Sequence, residues 1–96
     1  MLVRHVKFTA RPGQGDALAA LLAEAAAGAR EADGCELYVV SRSEAEPDGV
    51  WVTELWRDHA AVAASLEADG AREQIARVLP LLAGRPQLVE TVALGG

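Results

Sequence analysis

Apolar and polar side chains alternate through residues 2–9, LVRHVKFT, with Leu2, Val6 and Phe8 on one side and His5, Lys7 and Thr9 on the other. This two-residue period predicts a strand. The RPGQG that follows reads as a turn, because Pro12 fixes φ while Gly13 and Gly15 reach angles other residues avoid. From Asp16, an acid suited to a helix cap or first turn, the period becomes helical: Leu18, Leu21, Leu22, Ala25 and Ala29 form one stripe extending to Ala32. Asp33 and Gly34 stop that helix. CELYVVSRS, from Cys35, is rich in strand formers, EAEPDG is a turn, and VWVTELWRD, residues 50–58, is the second arm of a hairpin. Beyond Asp58, Val62 and Leu66 mark a short helix, and Ile75, Val78, Leu79 and Leu82 mark another past Gly70, with Pro80 placed to end or bend it. AGRP is a loop and QLVETVAL a last strand. Neither a repeat nor a linker divides these elements, so residues 1–96 are expected to form a single domain.

The order β-α-β-β-α-α-β is that of an α+β, ferredoxin-like fold, an antiparallel sheet with its helices on one face. The other face is then bare. Within residues 50–56 one parity carries Val50, Val52, Glu54 and Trp56, and the other carries Trp51, Thr53 and Leu55; the last strand sets Leu88, Val92 and Leu94 against Val89 and Ala93. A sheet apolar on both faces and covered on one exposes more than the few hundred Å² a monomer tolerates. Two copies packed face to face about a two-fold axis, a dimeric α+β barrel, would resolve this.

Charge and composition narrow the function. The net charge is −5 and the nine Lys and Arg are scattered singly, which argues against nucleic acid and anionic membrane surfaces as partners. A domain of this length holds one core, so any pocket must share walls with that core or with a partner subunit. The lone Cys35 makes no internal disulfide, no apolar run approaches the ~20 residues of a membrane span, and MLVRHVKF carries no signal pattern; a reducing cytoplasm is the expected location. Two histidines and one cysteine, without H-x-x-x-H or C-x-x-C spacing, fall short of the usual metal-ligand sets. RPGQG lacks the glycine spacing and lysine of a phosphate cradle. Cys35, in an apolar strand, reads as an inert buried thiol.

Half of the aromatic side chains lie in VWVTELWRD. Trp56 and Glu54 share a parity and so a side of the sheet, while Trp51 points toward the face expected to meet a second copy. Burial would raise the pKa of Glu54 unless a cation pairs with it, and Arg4 and Arg42 are the available partners; a carboxyl raised in this way suits a general base near neutral pH. His5, mid-strand, and His59, at the start of a helix, are further candidate proton acceptors. Tyr38, on the second strand, offers a hydroxyl to a ligand or packs in the core.

Four segments in order, FTARPGQGDAL, DGCELYVVSRS, PDGVWVTELWRDHAAVAASL and the strand after LLAGRP, resemble the antibiotic biosynthesis monooxygenase family of small dimeric α/β-barrel proteins. The glycine-cysteine entry to the second strand and the E-x-W-x-D exit from the third carry most of the resemblance. It implies oxygenation of small aromatic or quinol-like molecules by dioxygen, in several members with no metal, flavin or other cofactor. Haem-degrading and signal-processing proteins belong to the family too. Trp56 matches the family tryptophan and is expected to give a flat wall with an N–H donor toward a substrate oxygen, with Glu54 and His5 as its catalytic companions and Tyr38, His59 and Ser65 as substrate contacts. Family members often carry a histidine in the following helix, and this chain has Ser65 there. The resemblance therefore leaves three expectations: a cofactor-independent monooxygenase, a non-catalytic dimer that binds a hydrophobic ligand, and, ranked last, a haem protein ligated by His5 or His59.

Overall fold

The computed structural model describes residues Met1–Gly96. The strands are β1 Leu2–Thr9, β2 Cys35–Arg42, β3 Gly49–Trp56 and β4 Gln87–Val92; the helices are α1 Gly15–Ala29, α2 His59–Leu66 and α3 Ala71–Val78, followed by a 3-10 turn at Leu79–Leu81. All strand pairs are antiparallel, in the order β2-β3-β1-β4. This is the expected α+β, ferredoxin-like arrangement, with α1 and the α2–α3 region on one face.

Local chemistry explains most boundaries. At the entry to α1 the Asp48 carboxylate, from the β2–β3 turn, accepts hydrogen bonds from the Gly13 and Gly15 amides, and any side chain at Gly15 would meet the Pro47 carbonyl. Asp16 lies in the first turn of α1 and pairs with Arg42 at 2.7 Å. The helix stops at Ala29, three residues earlier than the apolar stripe suggests, and hydrogen-bonded turns carry the chain to Gly34. Gly34 holds φ at 86°, and a Cβ there would lie 2.6 Å from that of Ala61, so both conformation and space require glycine. β3 ends at Trp56, not at Asp58, because the Asp58 side chain caps α2 by accepting from the Ala61 amide at 2.9 Å. Pro80 sits in the 3-10 turn that closes α3. β4 ends at Val92, leaving Leu94 in solvent.

The register fixes which residues share a face. Arg4, Glu54, Tyr38 and Glu90 lie in one row across the sheet, since Arg4 pairs with both Glu54 and Glu90, and Glu54 with Tyr38. A register shift between Cys35 and Leu37 marks a bulge in β2, which lets Cys35 as well as Tyr38 pack toward the helices. Two apolar clusters join the sheet to the helices. One comprises Val6, Ala10, Leu18, Leu22, Val50, Val52, Val78 and Leu82; the other is Leu2, Trp56, Ala61 and Val62.

Candidate functional site

Residues of both clusters line a cavity of about 570 Å³ between the sheet and the helices. Its walls are largely apolar: Val6, Phe8 and Leu88 from the sheet, Leu22 and Ala25 from α1, and Ile75 and Leu79 from the α3 region. Small residues at the end of α1 and in the turn after it, Gly28, Ala29 and Ala32, line that side. At the sheet, Arg4, Glu54, Trp56 and Tyr38 make the polar end, and Ser65, Asp69 and Gln74 contribute from the helical side. A mostly apolar cleft with a few convergent polar groups has the form of a small-molecule site.

Glu54 is the only charged or polar residue in the buried core, at 8% exposure. Its Oε1 accepts a 2.8 Å hydrogen bond from the Trp56 indole N–H and lies 3.7 Å from Arg4 Nε. Neither contact uses Oε2. Burial pushes the carboxyl above its ordinary range, against the lowering effects of the Trp56 hydrogen bond and the Arg4 charge and with the nearby Glu90 charge adding to the rise. Arg4, one of the two partners considered from the sequence, is therefore the neighbouring cation; Arg42 serves Asp16 instead. Burial, with the Glu54 charge second, pushes the Tyr38 phenol up to about 12, so it stays protonated and acts as a donor. Burial likewise raises the Cys35 thiol, an environment that disfavours the thiolate.

Trp56 is both wall and core. At 1% exposure it is among the most completely buried side chains of the protein, and its N–H is taken by Glu54, not left free for a substrate oxygen. Ser65 lines the cavity, but its hydroxyl donates to the Val62 carbonyl at 2.6 Å. The structure does not bring His5 to this site. His5 lies on the opposite face of the sheet, in hydrogen-bonding contact with the Thr91 hydroxyl at 3.2 Å, as the odd parity of β1 requires. His59 is also outside the cavity lining: its side chain is 75% exposed and its Nε2 lies 3.5 Å from Glu90 Oε1. The cavity thus offers no histidine as an axial haem ligand. Glu90, not among the candidates drawn from the sequence, closes the polar row by binding Arg4 Nη1 at 2.6 Å.

A model of the antibiotic biosynthesis monooxygenase family matches residues 1–77. A search of curated proteins finds no match. Among solved structures, a Chloroflexus aurantiacus protein whose assignment as an antibiotic biosynthesis monooxygenase is provisional is 38% identical, with a TM-score of 0.85 over 100% of this chain and 96% of that one. A Deinococcus radiodurans protein with the same provisional assignment is 26% identical, with a TM-score of 0.86 over 100% and 95% of the two chains. A third from Nitrosomonas europaea shares only 16% of its residues yet superposes with a TM-score of 0.92 over 99% and 100%, which speaks for the fold alone. With the family match running from β1 through most of α3, and a relative 38% identical aligned over 100% of this chain, the chain belongs to the antibiotic biosynthesis monooxygenase family.

Proposed function

We propose that the protein is a cofactor-independent monooxygenase that oxidises a small quinol or polycyclic aromatic substrate with dioxygen. The observation that carries this reading is Glu54: a carboxylate raised by burial, with Oε2 outside both of its close contacts, at the polar end of an apolar cavity. A flat substrate would lie against the apolar walls with its acidic C–H or phenol turned to Glu54, which takes the proton. The Tyr38 hydroxyl and the Arg4 charge would stabilise the resulting anion where water is excluded. For an anthrone-type methylene, dioxygen then accepts electrons from the carbanion and a C–O bond forms. Loss of water from the hydroperoxide leaves a carbonyl, so CH₂ + O₂ becomes C=O + H₂O. Glu54 first gives its proton to the peroxide, making the hydroperoxide, then takes the second C–H proton as the O–O bond breaks and passes it to the departing hydroxide.

The expected assembly is a homodimer packed through the open sheet face. A cytoplasmic location suits the single unpaired Cys35, and no helix is long and apolar enough to cross a membrane. The test is dioxygen uptake with anthrone or a reduced quinone, in chelator and without flavin or nicotinamide. Turnover that collapses in Glu54→Gln supports the proposal. A second reading, a non-catalytic dimer that binds a hydrophobic ligand, is favoured by one specific feature: the Trp56 N–H and the Ser65 hydroxyl both donate within the chain. Tight binding of the same compounds without oxygen uptake would select it.

A further inference from the structure

The row Tyr38–Glu54–Arg4–Glu90 contains one cation between two carboxylates, and the cation is shared unequally. Arg4 Nη1 sits 2.6 Å from Glu90 Oε2, while its Nε stops 3.7 Å from Glu54 Oε1 and, though buried, has no hydrogen-bond partner. A buried guanidinium N–H without an acceptor is unfavourable, and a shift of under ~1 Å would bring it to Glu54. Glu90 is placed to oppose that shift. It stands on the edge strand β4, directly opposite Arg4, and binds the guanidinium at the far end of its fork.

We propose that Glu90 is a positioning residue: by holding Arg4 through Nη1 it keeps Nε out of hydrogen-bonding reach of Glu54 and so sets the protonation of the site carboxylate from the edge of the sheet. This deepens the reading of Glu54 as a base. The other titratable groups around Glu54 do not offer the same control. β2 brings Tyr38 and Cys35, both raised by burial and neutral; Asp69 lines the helical side of the cavity; α1 lines it with Leu22, Ala25, Gly28 and Ala29; and from α2 His59 reaches only Glu90. Arg4 is the one cation in the row, and Glu90 is its short-range partner.

The fold supplies its own reporter. The Trp56 indole N–H donates to Glu54 Oε1, so its ¹H–¹⁵N resonance follows Glu54 titration in the unliganded protein, and Trp51→Phe assigns which of the two indole signals it is. Glu54→Gln must abolish the titration, which establishes the reporter. In Glu90→Gln, a conservative change at the sheet edge, Arg4 turns to Glu54 and the midpoint falls by about one pH unit or more. The Arg4 Nε–H signal should move downfield in the same variant as it gains an acceptor. In an Arg4→Gln background the Glu90→Gln shift should largely vanish, since Glu90 acts through Arg4. An unchanged midpoint in Glu90→Gln, or an equal shift with Arg4 absent, would overturn the proposal; the latter would mean that Glu90 acts by its own charge. Because no substrate is involved, failure of the oxygen-uptake test would leave this result intact, and the reverse also holds.

Discussion

The two tryptophans of β3 are five residues apart, and the two faces of the sheet give them opposite circumstances. Trp56, 1% exposed, is enclosed by Leu2, Ala61 and Val62 and donates to a buried carboxylate. Trp51, 39% exposed, stands on the open face with the Lys7 ammonium 5.5 Å from its ring centre, and Val39, Leu37 and Val89 are exposed on the same face. Polar groups differ in the same way. On the helix side they form one row converging on a cavity, whereas on the open side His5 with Thr91 and Lys7 with Glu46 are separate pairs. Strand period alone assigns a residue to a face. What that face does depends on what covers it, and only the helix side has its cover within this chain.

The sharpest way to break the comparison is to truncate both rings. Trp56→Ala empties a fully enclosed site and should cost about 3–5 kcal/mol, enough to threaten a domain of this size. Trp51→Ala should cost the isolated chain no more than ~1 kcal/mol, as for other partly exposed positions, any further loss being one of association and therefore dependent on protein concentration. Urea denaturation of the two variants decides the matter, and similar losses would erase the distinction between the faces. This places Trp56 partly in the structural role that an aromatic cleft wall, taken alone, would not have.

A second test concerns what covers the open face. If a second copy does, sedimentation at micromolar concentration should return about twice 10.1 kDa. Val39→Glu, which sets a charge on that face midway along the edge strand β2, should weaken association by about 100-fold or more while leaving Glu54 and its cavity unaltered. A wild-type monomer at those concentrations would mean that the exposed apolar side chains serve some other contact.

The element order, the parity of β3 and the two-sided apolar character could be read from the sequence because each follows from local period. Glu54 stood out because a carboxylate on the Val50–Val52–Trp56 parity has no ordinary reason to be there. Three things were not legible. The Trp56–Glu54 hydrogen bond depends on rotamers, the placement of Glu90 beside Arg4 on the register of β4 against β1, and the 570 Å³ cavity on how far the helices stand off the sheet. Register and stand-off are long-range properties that spacing in one dimension does not carry. Parity did hold a signal for Glu90, since it falls with Leu88 and Val92. The same parity rule, applied to β1, separates His5 from Arg4, which is why a histidine attractive for its chemistry ends on the wrong face for this cavity.

The smallest expected effect concerns Glu54 itself and runs against the usual direction for a substitution in a core. Burial raises its carboxyl in the folded chain, so the fold binds this proton more tightly than the unfolded chain does. The stabilising contribution is complete below the ordinary value of 4.5 and is lost as pH rises through the folded value, because ionisation then occurs where the charge is poorly solvated. Glutamine keeps a carbonyl oxygen to accept from the Trp56 N–H and has no proton to lose. Glu54→Gln should therefore match wild type near about pH 4 and exceed it near about pH 8, by about 1.4 kcal/mol for each unit by which the carboxyl is raised. Denaturation curves at the two pH values measure the difference directly. A variant less stable than wild type at both would show that Arg4, even at 3.7 Å, offsets the burial of the charge, and that Glu54 is held as half of an ion pair instead of being kept ready to accept a proton.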